Sequence, residues 1–114
     1  MHESTKVKTR KQDGIAIMDL SGEVTSFSEQ VLQETYVKFT EEGFSKIGLN
    51  FENVSYINSA GMAIIISILT QSRNKGQALR AWGLTQHFQK IFDMVGITKY
   101  MEHFESEGKA LKDF

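Results

Sequence analysis

Cysteine and proline are both absent from this sequence of 114 residues. Without cysteine, the chain can form no disulfide and offers no thiolate ligand to a metal. Without proline, the breaks between regular elements must come from other residues, and the glycines provide them. The three histidines, His2, His87 and His103, do not have the spacing of a metal site, so each is interpreted as a surface residue. We therefore predict neither a metal nor a cofactor.

The sequence also lacks a charge excess and a long apolar run. Its 13 basic residues nearly balance 14 acidic ones, whereas a nucleic-acid-binding domain usually carries a basic excess. The longest apolar run, Met62–Leu69, is interrupted by Ser67 and is too short to cross a bilayer. The first residues, Met1–Lys6, have no apolar core of the kind found in signal peptides. We predict a cytoplasmic protein with no nucleic-acid partner and no membrane insertion.

Strand-like and helical patterns alternate along the chain. Alternating apolar residues predict short strands at Val7–Lys11, Ile15–Leu20, Lys46–Phe51, Gln77–Trp82 and Ile97–Met101. Apolar residues three and four positions apart predict helices that begin near Ser26 or Ser28, at Ser59, near Thr85 and at Glu105. Residues Ser21–Ser26 are predicted to form a loop. The order ββαβαβαβα predicts one α/β domain over residues 1–114, with helices on a mixed sheet of about four to five strands.

The most informative segment is Tyr56–Met62, which places Ser59 where a strand is followed by a long apolar helix. A phosphate at a helix start meets free backbone N–H groups and the positive end of the helix dipole. Ser59 or its neighbour Asn58 can cap the helix, and the sequence leaves that choice open. The segment is neither a Gly-x-Ser-x-Gly elbow nor a Walker-type loop. We therefore interpret Ser59 as a regulatory residue and the chain as a non-enzyme, with a small serine hydrolase as a rival.

The order of elements and this segment together resemble the STAS domain, the fold of bacterial anti-sigma factor antagonists. In that family a polar loop is followed by Asp-Ser-Ser/Thr-Gly-Leu at the start of a helix, and here the corresponding residues are Asn58-Ser59-Ala60-Gly61-Met62. A second similarity is Leu79–Leu84, followed by a helix that ends in Met94–Ile97. The resemblance extends over essentially the whole chain.

The resemblance implies a partner-switching function. In the family, the unphosphorylated antagonist binds an anti-sigma factor that is also a serine kinase and so releases the sigma factor. The kinase phosphorylates the serine at the helix start, which corresponds to Ser59, and a metal-dependent phosphatase removes the phosphate. The predicted partner-binding residues surround this serine and are Asn58, Ala60, Gly61, Met62, Glu23, Val24 and Thr25.

Several positions depart from the family pattern. Asn58, Asn50 and Thr25 occupy positions where family members have acids, and Ala60 replaces a second hydroxyl residue. These departures leave two alternatives open. The chain can be a STAS docking subunit of a membrane transport complex that is not phosphorylated, or a partner-switching protein that controls an output other than transcription.

Overall fold

A computed structural model describes residues 4–114, so residues 1–3 of the predicted domain, including His2, lie outside the described part. Five strands form one sheet in the spatial order β1-β2-β3-β4-β5. The strands are β1 (Lys6–Gln12), β2 (Ile15–Val24), β3 (Lys46–Ile57), β4 (Ala78–Trp82) and β5 (Glu102–Phe104). The helices are α1 (Glu29–Glu41), α2 (Ser59–Asn74), α3 (Gln86–Met94) and α4 (Glu107–Leu111).

The sheet is mixed, as the sequence predicted. β1 and β2 form an antiparallel hairpin, and β2, β3, β4 and β5 run parallel to one another. The hairpin turns at Asp13 and Gly14, whose φ angles are 52° and 78°. Positive φ at both central residues matches the twist of an antiparallel pair, which explains the Asp-Gly sequence at this turn. The α/β prediction is therefore confirmed.

The two faces of the sheet are covered differently. Alternate residues of β2 point to opposite faces, so Met18 packs in the large core with α1, α2 and α3. Ile17 instead joins a smaller cluster with Trp82 and with Ala110 of α4. Gly48 makes room for the indole, because a Cβ at this position would lie 2.9 Å from the Trp82 ring. A short C-terminal helix therefore covers a face that the three longer helices leave open.

Several predicted boundaries were wrong. β2 continues through Val24, so residues predicted as a loop are strand, and β3 continues six residues beyond Phe51 to Ile57. The predicted strand Ile97–Met101 contains a 3-10 helix at Ile97–Lys99, and the last strand is β5. Neither Ser26 nor Ser28 caps α1 with its side chain, because a separate 3-10 helix occupies Ser26–Ser28. Within residues 4–114, no helix combines the length and apolar character needed to span a membrane.

Candidate functional site

Ser59 lies at the edge of the sheet where the parallel strands have their carboxyl ends. Val24 at the end of β2 is paired with Ile57 at the end of β3. The loop that follows β2 and the start of α2 are consequently neighbours. Ligands of open α/β sheets generally bind at this edge, because the loops there can vary while the strands hold them in place.

Asn58, and not Ser59, caps α2. Its side-chain oxygen accepts a hydrogen bond of 2.8 Å from the backbone N–H of Gly61, and its backbone N–H donates to the carbonyl of Val24. Ser59 is the first helical residue and is exposed. Among residues 4–114, no side chain or carbonyl forms a hydrogen bond with the Ser59 hydroxyl. Asn58 therefore forms the cap, and the hydroxyl of Ser59 is left accessible.

Gly61 holds α2 close to the end of β2. A Cβ on Gly61 would lie 2.1 Å from the Val24 carbonyl oxygen and 2.6 Å from its carbon. Only glycine permits this approach, because backbone atoms cannot move aside as a flexible side chain can. The glycine of the motif therefore sets the position of Ser59 relative to the loop after β2.

The loop after β2 is fixed by a capping box. The backbone N–H of Thr25 donates to the Ser28 hydroxyl at 2.8 Å, and the Thr25 hydroxyl accepts from the Phe27 backbone N–H at 3.2 Å. Ser28 is fully buried, and its hydroxyl also contacts that of Thr5 in the N-terminal segment. Reciprocal bonds of this kind satisfy the free donors at a helix start. The loop is therefore an ordered platform beside Ser59.

Apolar side chains are exposed on both sides of Ser59. On one side, Phe27 projects from the loop after β2 with 93% of its surface exposed. On the other, a groove between α2 and α3 is lined by Tyr56, Met62, Ile66, Ile91 and Val95. Exposed apolar area concentrated around one residue is typical of an interaction surface.

The structure brings all seven predicted partner-binding residues to this edge, but they do not all reach its surface. Ala60 is exposed, and Asn58, Met62, Glu23 and Thr25 are half-buried. Val24 and Gly61 are buried and offer a partner no surface, so we assign them to positioning. Phe27 was missed, because a single aromatic residue in a polar loop gives no periodic signal.

Asn50, one of the departures from the family pattern, lies away from Ser59. Its amide donates to the Asp19 carboxylate at 2.8 Å and its oxygen accepts from the Glu52 backbone N–H. Arg10 binds the same carboxylate with two nitrogens at 2.6 and 2.8 Å, and also pairs with Glu107 of α4. Burial opposes ionisation of Asp19, but these hydrogen bonds outweigh it and lower the pKa of the carboxyl. Asn50 therefore belongs to a charged network that fastens α4 to the sheet.

The chemistry that the site permits follows from its neighbours. A serine nucleophile needs a base within hydrogen-bond reach, and no histidine or carboxylate of residues 4–114 forms a hydrogen bond with Ser59. No group of three His, Asp or Glu residues in the described part could hold a metal ion. The arrangement presents an accessible hydroxyl on a rigid, partly apolar surface.

Comparisons with known proteins agree with this fold. A family model described as the STAS domain matches residues 6–110. The chain is 24% identical over 95 residues to the anti-sigma-B factor antagonist of Staphylococcus aureus, which covers 83% of this chain and 88% of that protein.

Two solved structures show the same fold at lower identity. An anti-sigma factor antagonist from Mycobacterium paratuberculosis superposes with a TM-score of 0.82 at 14% identity, over 95% of this chain and 92% of that one. The Bacillus cell fate determinant SpoIIAA in its phosphorylated form superposes with a TM-score of 0.72 at 16% identity, over 95% and 96%. The family match extends over nearly the whole described chain, and the two solved structures share its fold. This chain belongs to the STAS domain family.

Proposed function

We propose that this protein is a partner-switching regulator that binds an anti-sigma factor serine kinase and so releases a sigma factor. Phosphorylation of Ser59 by that kinase ends the binding, and a metal-dependent serine phosphatase restores it. The protein acts by binding, in the cytoplasm, and catalyses no reaction itself. The observation that carries this proposal is the exposed Ser59 hydroxyl, which has no hydrogen bond within residues 4–114 and lies at the start of a long helix.

The helix start supports a phosphate without a change of fold. The first N–H groups of a helix have no partner within the helix, and in α2 those of Ser59 and Ala60 remain available, whereas that of Gly61 is bound by Asn58. A phosphate adds about −1.5 to −2 charges at neutral pH. These N–H groups and the helix dipole stabilise that charge. The modified protein should therefore keep its structure.

The same phosphate would weaken a complex. Ser59 lines the groove together with Tyr56, Met62 and Ile66. A partner that covers this apolar surface would have to bury the phosphate beside it, and burial of an unpaired dianion is strongly unfavourable. Binding is thus switched while the fold remains the same.

The relatives support the same interpretation. The Staphylococcus aureus relative is named an anti-sigma-B factor antagonist, and SpoIIAA was solved in a phosphorylated form. Both extend over most of this chain, so the proposal does not depend on a short local match.

A direct test uses the anti-sigma-type serine kinases of the source organism, each purified and assayed separately. We expect one of them to bind the wild-type protein and to phosphorylate it with ATP at Ser59, as located by mass spectrometry. Ser59→Ala should block phosphorylation, and Ser59→Asp should lower the affinity at least tenfold. Ser45→Asp is the matched control, because Ser45 is an exposed serine that precedes β3 at the opposite edge of the sheet.

The proposal fails if no kinase binds, or if Ser59→Asp and the wild type bind equally well. Capture of the same membrane-transport subunits by both forms would instead support a docking subunit. If a kinase that controls no sigma factor binds and phosphorylates the protein, the phosphorylation switch is supported, and its output is a process other than transcription.

A further inference from the structure

Phe27 is the most exposed large apolar side chain in residues 4–114, with 93% of its surface accessible. Most exposed apolar residues in a soluble protein are single and only partly accessible, and they need no explanation. A phenylalanine buries a large apolar area when it is covered, so leaving it in water forgoes a large favourable contribution to folding. The Phe27 ring therefore contributes little to the folding of this protein.

The backbone that carries Phe27 is nevertheless fixed. Its N–H donates to the Thr25 hydroxyl at 3.2 Å, and the next residue, Ser28, is fully buried. The Ser28 hydroxyl accepts from the Thr25 backbone at 2.8 Å and contacts the Thr5 hydroxyl. An aromatic side chain has only two rotatable bonds, so on a fixed backbone it loses little conformational entropy on binding, which is the property of an interface anchor.

Phe27 also lies beside Ser59. Phe27 and Asn58 line one surface depression, and Ser26 and Ala60 line the next one, between α1 and α2. Asn58 and Ala60, which precede and follow Ser59, therefore each line a depression together with a residue of the turn that carries Phe27. A protein that covers Ser59 together with the depressions on either side of it would reach the Phe27 ring.

A negative charge also lies in this area. Three depressions adjoin Ser59 or its neighbours Asn58 and Ala60, and the exposed Glu29 lines the one between α1 and α2. Among the described residues that line the three depressions, none is a lysine or arginine. Complementary interfaces place opposite charges across from one another, so a partner here should be basic at the edge of its contact area.

We propose that Phe27 is an anchor residue that inserts into an apolar pocket of the kinase that binds at Ser59. A lysine or arginine side chain borders that pocket and faces Glu29. The proposal rests on the proposed function, since it identifies the surface through which the same partner is held. Phe27 supplies affinity in the complex with the unphosphorylated protein, whereas Ser59 determines whether the adjacent groove can be covered.

The test measures the affinity and association rate of the purified kinase for a set of variants. Phe27→Ala should lower the affinity at least tenfold, and Phe27→Leu should retain part of it. Met94→Ala is the matched control, because Met94 is 84% exposed on α3 but lines none of the three depressions. We expect Met94→Ala to stay within about twofold of the wild type, since scattered surface contacts contribute little. Thermal unfolding of each variant shows that the fold is retained.

Charge is tested with Glu29→Gln. Association of the wild type should slow as salt is raised, and Glu29→Gln should slow it severalfold at low salt but not at high salt. The anchor is disproved if Phe27→Ala binds within twofold of the wild type while Ser59→Asp abolishes binding, a result that leaves the proposed function intact. If the wild type binds no kinase, both proposals fail. If the association rate does not depend on the salt concentration, the proposed basic residue at the border of the kinase pocket is disproved.

Discussion

At the scale of single residues, Gly61 shows how closely α2 must approach β2 to place Ser59. We expect Gly61→Ala to destabilise the protein by about 3 kcal/mol, because overpacking against atoms that cannot move typically costs 1–3 kcal/mol. The clashing atoms are the Val24 carbonyl carbon and oxygen, at 2.6 and 2.1 Å from the added Cβ. Chemical denaturation measures the change.

Gly108→Ala is the control for Gly61→Ala. Gly108 lies in α4, and nothing lies within 4 Å of the Cβ it would gain. Alanine favours helix over glycine by roughly 0.5–1 kcal/mol, so Gly108→Ala should be neutral or stabilising. A loss of stability in Gly108→Ala as large as that in Gly61→Ala would show that the Val24 contact is not the cause of the result at Gly61.

Asn58 is the second residue whose role is testable in isolation. Asn58→Ala removes the acceptor for the Gly61 N–H and should cost about 1 kcal/mol of folding free energy. Asn58→Asp keeps the acceptor and adds a negative charge at the positive end of α2, so it should be neutral or stabilise by about 0.5 kcal/mol. Denaturant unfolding of the two variants distinguishes capping from a purely local change of volume. Equal losses in both would contradict the capping role.

At the same scale, the sequence was sufficient to place Ser59 at the start of a helix but not to predict its surroundings. The position of a serine at a helix start follows from local patterns, since capping residues and an apolar helix adjoin one another. Whether Asn58 or Ser59 forms the cap depends on backbone angles, and only the structure decided it. The exposure of Phe27 could not be predicted, because it depends on which elements pack over the turn.

At the scale of elements, α4 is held by a charged network as well as by apolar contacts. Arg10 of β1 binds Asp19 of β2 and Glu107 of α4, and these bonds raise the pKa of the guanidinium. Arg10→Ala should destabilise the protein by about 1.5 kcal/mol, the lower end for hydrogen bonds to charged groups, because the pair is partly exposed. Lys109→Ala removes an exposed pair with Glu105 and should leave the stability nearly unchanged, since water and salt screen such a pair.

The only tryptophan of the sequence reports on this element. Trp82 is fully buried in the cluster that Ala110 of α4 helps to form. If α4 loosens in Arg10→Ala, the emission of Trp82 should shift to longer wavelength before the rest of the protein unfolds. Unchanged emission together with unchanged stability would show that apolar packing alone holds α4.

Strand boundaries were the least predictable part of the elements. The pairing of β2 with β3 shifts register between Asp19 and Ser21 and again between Gly22 and Glu23. Ser21, Gly22 and Glu23 of β2 are polar or glycine, so their regular alternation in burial gives no apolar pattern in the sequence. Beyond Phe51, β3 does not alternate in burial, as is expected beside bulges, and its second half was therefore not predicted as strand. The three residues of β5 are too few and too polar to give a periodic signal. Helices α1, α2 and α3 were predicted better, since each has more than one buried apolar residue on one face, whereas α4 has only Ala110 and begins at Glu107 and not at Glu105.

At the scale of the whole molecule, stability should depend on pH through two groups far apart in the fold. Burial lowers the pKa of His103 below its ordinary value of about 6.5, although Asp93 acts in the opposite direction. The neutral ring accepts a hydrogen bond from the Leu84 backbone N–H at 3.2 Å. As pH falls below about 6.5, the unfolded chain binds this proton more readily than the folded one, so the free energy of unfolding decreases.

The free energy of unfolding should decrease a second time at lower pH. Burial opposes ionisation of Asp19, but the hydrogen bonds from Arg10 and Asn50 outweigh it and lower the pKa of the carboxyl. The stability that the ionised Asp19 contributes is therefore present above pH 3.9, about the ordinary pKa of an aspartate, and is lost as the pH falls further. Denaturant unfolding between pH 3 and 8 should therefore show two steps of the same sign. His103→Gln should remove the upper step and Asp19→Asn the lower one. Because the two groups share no partner, the double variant should lose both steps additively, and a missing upper step in the wild type would contradict the role of His103.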